Sequence, residues 1–422
     1  MDLHHPLRRG AKDSGKTFLT PLNAGESFGM VKRWDFDQTI KCSSFSIPGG
    51  AEEYYFAFTN YEAVSFEKAI AELCEKYQFV TGYLGLSEQT LLFSRLHVSD
   101  IINQKDLLAK SELFRHIGHG AVSVIEQTPL TRDSLVLFSY HVKKGTGKFQ
   151  KKILDNGREA WRTGMVAKGD HYSMVWSSNQ AEAGHFDSQQ QTELIFKSFS
   201  AFLDRYNLSV RKNLVRTWIY VRDIDNHYAG MVEARKDFFH SHGLCRESRF
   251  VASTGIEGRG TETGAIITMD SLSIGNIEEE QIDTMDALEH LPRTMLYGVT
   301  FERGLRVRFG DRSHLVISGT ASIDEDGKVA HEGDIEKQTH RTIDNAEALL
   351  RSQGATLYDM TYALCYLRNP KDYECVKEIV SARLPGNIPL ITVEADVCRP
   401  AWLFEMEGVG IIADTNPFPP FM

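Results

Sequence analysis

Apolar positions along this chain alternate between short strand-like runs and longer helical ones. Leu315-Val-Ile317, running into Ser318-Gly319, reads as a buried strand entering a tight turn. After Asp334, the positions Ile343, Ala346, Leu349 and Leu350 fall at three- and four-residue spacing. They predict an amphipathic helix that Gly354 stops. Met360–Leu367 is a second strand and Tyr373–Leu384 a second helix, and strands near Leu390 and Phe404 finish the unit. In the last strand Glu405 and Glu407 are two apart and share a face, while Phe404 and Met406 point the other way.

The same order occurs twice upstream. Tyr54–Phe58 is strand-like, and Ser65 caps a helix whose stripe is Phe66, Ala69, Ile70 and Leu73. Leu91–Val98, a helix after Ser99-Asp100, Ala121–Ile125 and Leu135–Tyr140 complete that copy. The next reads Tyr172–Trp176, Gln191–Leu203, Leu214–Val221, Met231–Phe239, Phe250–Ile256 and Ala265–Met269. Val98-Ser-Asp-Ile-Ile-Asn, Val221-Arg-Asp-Ile-Asp-Asn and Leu367-Arg-Asn-Pro-Lys-Asp mark one strand end in each. A diverged internal triplication follows, too long and too few in repeats for a solenoid. The expected division is an N-terminal arm at 1–31 and modules at 32–150, 151–290 and 291–422. Lys143–Arg158 and Gly275–Pro292 are expected as linkers. The polar start, with His4-His5 and Arg8-Arg9, reads as a loose arm.

Composition narrows the class. With 422 residues, 42% hydrophobic and 25% charged, the chain is ordinary globular material. Its 47 basic and 57 acidic side chains give −10, which argues against nucleic acid as a partner but leaves room for a small anion held by local arginines. The six cysteines are scattered without a Cys-x-x-Cys pair, and no long apolar run or leader-like start is present. A reduced, metal-free cytoplasmic protein without a membrane span is expected.

Several words resemble those of a known superfamily. They are Ser318-Gly-Thr-Ala-Ser-Ile323, His331-Glu-Gly-Asp334 with Gln338, Asn345, Val397-Cys-Arg399, Phe404-Glu-Met-Glu407 and, upstream, Phe301-Glu-Arg303. In this order they resemble the RidA/YjgF (YER057c/UK114, endoribonuclease L-PSP-like) superfamily, and within it the chorismatases. The resemblance implies an α+β fold of three chorismate mutase-like βαβαββ modules in pseudo-threefold symmetry. Such modules elsewhere form trimers, so a monomer with an internal pseudo-trimer is expected here. It implies cleavage of the enolpyruvyl ether of chorismate, or of a similar carboxylate, to pyruvate plus a hydroxybenzoate or dihydrodiol, without a cofactor.

Glu405 matches the family's catalytic Glu by motif. On pattern alone both glutamates read first as structural or solvated residues, but the apolar flank Trp402-Leu-Phe404 should desolvate Glu405 and suit it to general-acid work. Glu407 reads as structural. Cys398 matches the cysteine of the branch that makes 3-hydroxybenzoate and reads as a packing or product-steering residue. Arg303, Arg235 in Glu233-Ala-Arg-Lys-Asp-Phe-Phe239, and Arg399 are candidate carboxylate binders, since a guanidinium fork matches a carboxylate. Thr254 and Gly255, within Thr254-Gly255-Ile256, and Ala321 are the remaining candidates at the substrate. The final strands of the other modules are expected to carry Thr268 and Asp270, and Ser139 and Tyr140, where this one carries Glu405 and Glu407. Two departures stand out: Asn276-Ile-Glu-Glu-Glu-Gln281 replaces the chorismatases' Asn-Pro-Arg-Gln, and Leu390 stands where RidA deaminases carry an arginine. The alternatives are a RidA-like enamine/imine deaminase, which Leu390 disfavours, and a non-catalytic metabolite-binding protein of the same fold.

Overall fold

Each of the three stretches closes into a six-stranded mixed sheet of one strand order. The structure, a computed structural model, describes residues 8–9, 19–20, 29–60, 65–131, 134–144, 149–155, 163–184, 187–292, 294 and 300–422. Most of the expected arm, His4 and His5 included, lies outside these residues. Within it β1 (Arg8–Arg9) pairs antiparallel with β2 (Leu19–Thr20).

The first sheet is built from β3 (Lys32–Asp37), β4 (Ile40–Phe45), β5 (Glu52–Phe58), β6 (Leu91–Val98), β7 (Ala121–Glu126) and β8 (Leu135–Lys143), in the order β3-β4-β5-β8-β6-β7. Helix α1 (Phe66–Tyr83) joins β5 to β6, and α2 (Ile101–Ala109) with α3 (Glu112–Ile117) joins β6 to β7. The β6/β7 pair is parallel, as a helical crossover requires. The second sheet repeats this with β9 (Gln150–Asp155), β10 (Thr163–Lys168), β11 (Ser173–Gln180), α4 (Ser188–Asp204), α5 (Val210–Asn213), β12 (Leu214–Val221), α6 (Ile224–Ser241), β13 (Ala252–Glu257) and β14 (Ile267–Gly275). The third uses β15 (Ile282–Thr284), β16 (Gly304–Arg308), β17 (Arg312–Ala321), α7 (Ile335–Arg351), β18 (Met360–Leu367), α8 (Tyr373–Arg383), β19 (Leu390–Glu394) and β20 (Phe404–Ala413). The fold is therefore α+β with three equivalent modules.

Two expectations change. The βαβαββ reading omitted the leading strands β3, β4, β9, β10, β15 and β16, which are short and mix polar with apolar residues. The two expected linkers also contain paired strands. β9 joins the second sheet, and β15 pairs with β16 in the third, so that sheet begins at Ile282, upstream of residue 291.

The inner faces of the sheets meet in a shared core. Phe93 stacks on Trp176 at 4.4 Å, Trp176 on Trp218 at 6.0 Å, and Phe138 contacts Tyr362 at 4.7 Å, linking the three sheets around a common centre. The helices cover the outer faces: α1 packs Ile70, Leu73 and Tyr77 onto the first sheet, and Phe196 of α4 stacks on Phe238 of α6 at 4.5 Å outside the second. In α7 the expected stripe Ile343, Ala346, Leu349 and Leu350 is buried. Asp334 caps its start by accepting from Lys337 N, and Gly354 follows its end at φ +74°.

Buried acid–base pairs cross the module boundaries. Arg95 of β6 bonds Asp270 of β14 at 3.0 Å, and Arg216 of β12 bonds Glu407 of β20 at 2.8 Å. Glu53 of β5 accepts from Arg312 at 2.8 Å and contacts His314 at 2.9 Å, both on β17. Losing one partner of such a pair leaves a charge in the core, so these contacts fix how the modules dock.

Candidate active site

Sheet register brings Glu405 to the boundary of the second and third modules. Glu405 lies opposite Tyr366 and Glu407 opposite Leu364, counting back from the strand end at Leu367. The same count from Val221 reaches Thr268 and Asp270, as expected. From Val98 it reaches Val136 and Phe138, not Ser139 and Tyr140. That strand runs on to Lys143, and its apolar length hides the register in the sequence. Of the three equivalent positions, only the third module's carries a carboxyl group.

Glu405 opens into a cleft between the two modules. All eight residues singled out above line it: Arg235 from α6, Thr254 and Gly255 from β13, Arg303 just before β16, Ala321 at the end of β17, Cys398 and Arg399 from the turn before β20, and Glu405 itself. Tyr228, Ser253, Phe301, Gly319 and Trp402 complete the lining.

A β-bulge shapes the acid's position. The β17/β20 register shifts between Ile317 and Thr320, and resumes with Ala321 opposite Glu405. Gly319 sits in the bulge, where a Cβ would collide with the Glu405 carboxyl and lie 3.1 Å from Thr254 Cγ2. A bulge beside a site re-aims a neighbouring side chain, and here only glycine leaves room for the carboxyl. Glu405 is 4% exposed. Burial lifts its carboxyl to about 8, the nearby Glu407 adds to the rise, and Arg216 and Arg303 oppose it. At neutral pH it carries a proton.

The cations are arranged around one ring. Arg235 lies 5.8 Å and Arg303 5.5 Å from the Phe301 centroid, so Phe301 stands between two guanidiniums. Arg235 is 1% exposed; its Nη1 donates to Ser253 Oγ at 3.4 Å, and its guanidinium also bonds Tyr228. A buried guanidinium lining a cleft is suited to a bound carboxylate. Glu302 ties this segment down, accepting from Phe250 N at 2.8 Å and donating its own N–H to Val251 O at 2.9 Å. Arg399 lies over Trp402 at 4.6 Å and donates to Gly327 O at 3.2 Å.

Cys398 is half-buried. Burial pushes its thiol up to about 12, with Glu405 adding to it, so it is a neutral thiol and not an activated nucleophile. Gly255 packs tightly under α6, where a Cβ would meet Met231 Cε at 3.2 Å and Tyr228 Cε2 at 3.3 Å. Gln338 fixes the turn that delivers Trp402 and Glu405, donating to Ala401 O at 2.9 Å and accepting from Leu403 N at 2.9 Å. The acidic segment Asn276–Gln281 stays outside the cleft: Gln281 bonds Tyr172 Oη at 2.9 Å and Arg308 O at 2.7 Å.

Sequence reasoning passed over Arg216 and Trp218, which stand behind the cleft and hold Glu407. An arginine inside the apolar strand Leu214–Val221 was the available signal, because a charge there demands a buried partner. All six cysteines are free, and among the described residues no helix is long and apolar enough to cross a membrane.

The chain is similar to several known proteins. Residues 307–412 match the family model for Endoribonuclease L-PSP. A 3-hydroxybenzoate synthase of Streptomyces hygroscopicus is 26% identical over 52% of this chain and 69% of its own length. A chorismatase of Streptomyces rapamycinicus is 23% identical over 75% of this chain and 96% of its own. A chorismatase crystal structure superposes with a TM-score of 0.56 at 20% identity, covering 77% of this chain and 93% of that one. The chain is similar to chorismatases, and its third module to the Endoribonuclease L-PSP family. A second curated chorismatase of S. hygroscopicus, 28% identical, is matched over 61% of its length and 46% of this chain.

Proposed function

We propose that this chain is an enzyme that cleaves the enolpyruvyl ether of chorismate, or of a closely similar enolpyruvyl carboxylate, releasing pyruvate. The observation that carries the reading is Glu405: a carboxyl protonated at neutral pH, at the wall of a cleft that also holds Arg235 and Arg303. The likeness to chorismatases and to a 3-hydroxybenzoate synthase supports the same substrate class.

The chemistry follows from the groups present. Arginine side chains hold the substrate's carboxylates and orient the enol ether toward Glu405. Glu405 gives its proton to the terminal methylene carbon, and the ether oxygen shares the positive charge that develops at the adjacent carbon. Water adds to that carbon, the resulting hemiketal loses its ring alcohol, and pyruvate leaves. The proton released by the water restores Glu405, so no net charge is created. Loss of water from the ring diol, one hydroxyl and one ring proton leaving, gives a hydroxybenzoate instead, and a product-steering role at that step is the reading for Cys398 at the cleft wall. The test is incubation with chorismate and enzymatic detection of pyruvate. RidA-type deamination has less support, because Leu390 opens β19 where that chemistry places an arginine.

A further inference from the structure

Glu407 does not line the cleft, yet it lies directly behind Glu405 on the same face of β20. It is fully buried, and three donors converge on it: Arg216 Nη2 at 2.8 Å, Trp218 Nε1 at 2.6 Å and the Thr254 hydroxyl. All three partners donate, so both oxygens act as acceptors, as those of a carboxylate do. Thr254 extends the network toward the cleft. Its Oγ1 accepts from Arg216 Nη2 at 2.6 Å and from Gly319 N at 2.9 Å. Gly319 is the residue against which the Glu405 carboxyl rests. A chain of bonds therefore joins the buried Glu407–Arg216 pair, through Thr254, to the seat of the candidate acid.

We propose that Glu407, held as a carboxylate by Arg216, Trp218 and Thr254, is a positioning residue that keeps the proton on Glu405 and keeps its carboxyl seated at Gly319. The inference rests on reading Glu405 as the proton donor. Two like charges side by side in a low-dielectric interior cannot both persist, and Glu407 has the donors. The remaining neighbours fit this division. Tyr362 and Tyr366 on β18, with Tyr220 on β12, face Glu407, and burial raises all three phenols, so none competes for the charge. On the Glu405 side, burial likewise raises Tyr228 of α6 and Cys398, leaving them neutral. The cations Arg303 beside Glu405, Arg235 and Arg399 at the cleft, and Arg95 of β6 behind Glu407 act in the opposite sense. Glu407 opposes Arg216 and Arg303 at Glu405, while Arg95 has its own acid in Asp270.

The test reads Glu405 directly. Infrared difference spectra across pH contain the carbonyl band of a protonated buried carboxyl, assigned to Glu405 by its absence in Glu405→Gln. In the full-length Glu407→Gln protein the midpoint of that band should fall by on the order of one pH unit. The alkaline limb of kcat should move with it: about a fivefold loss at pH 8 and little at pH 6, with KM nearly unchanged. Glu407→Gln leaves Arg216 buried without its acid, so Arg216→Met/Glu407→Gln is the companion variant if the single change fails to fold. It removes both charges and should lower the midpoint by less, because Glu407 acts on Glu405 more strongly than Arg216 does. A band midpoint that stays at the wild-type pH in the variant that folds overturns the inference. A moved midpoint in a protein that releases no pyruvate from chorismate supports it and overturns the enzymatic reading instead.

Discussion

Glu405→Gln should cost activity and raise stability together, because the same burial produces both. Glu405 titrates near 4.5 in the unfolded chain and at about 8 in the fold. Between those values the folded protein binds a proton that the unfolded chain releases. A raised carboxyl therefore contributes fully below pH 4.5, and its contribution is lost as pH climbs toward 8. At about 1.4 kcal/mol per pH unit, the loss from pH 5 to pH 8 is roughly 3–4 kcal/mol. Glutamine has the same shape and no proton to lose, so the variant escapes that slope. For 422 residues, at about 2 cal/mol/K of unfolding entropy each, 1 kcal/mol corresponds to roughly 1 °C. The difference in Tm between Glu405→Gln and wild type should then grow by about 3–4 °C in favour of the variant from pH 5 to pH 8. Paired thermal scans across that range measure it, and every other titrating group cancels in the difference. Parallel Tm curves would show that Glu405 is not a buried, proton-holding acid.

Three further outcomes follow from the geometry. Gly319→Ala places a methyl where the Glu405 carboxyl rests, so kcat/KM should fall by about 100-fold while circular dichroism stays native. Arg235→Met keeps the bulk but removes a guanidinium from the cleft wall, and should lower kcat/KM by roughly 10–100-fold, mostly through KM. Asp270→Ala strips the partner from buried Arg95 and should destabilise the protein by about 3–5 kcal/mol in denaturant titrations, although Asp270 is outside the cleft.

Much of the architecture was legible because the buried strands are nearly continuous apolar runs. Leu91–Val98, Leu214–Val221 and Met360–Leu367 have in the structure the bounds read from the sequence. The edge hairpins were not legible: a strand such as Lys32-Arg-Trp-Asp-Phe-Asp37 is half solvated and looks like a loop. The first module's register failed for a different reason: β8 is buried along most of its length, Ser139 and His141 included, so its polar residues do not mark a solvent face. Arg303, Arg235 and Arg399 came from sequence words far apart in the chain, and the docking of two modules brings them to one cleft. What sequence could not supply was the layer behind them. Trp218 and Arg216 belong to one module and Glu407 to another, and only the docking of the two sheets brings them into contact.

The central claim, that Glu405 donates a proton to an enolpyruvyl ether, is tested most directly by following pyruvate from chorismate with purified wild-type protein and Glu405→Gln side by side. The account predicts steady pyruvate release by the wild type at pH 7 and a kcat about 10²–10⁴-fold lower in the variant, with KM little changed. No pyruvate from the wild type, or equal turnover by the two proteins, would contradict it.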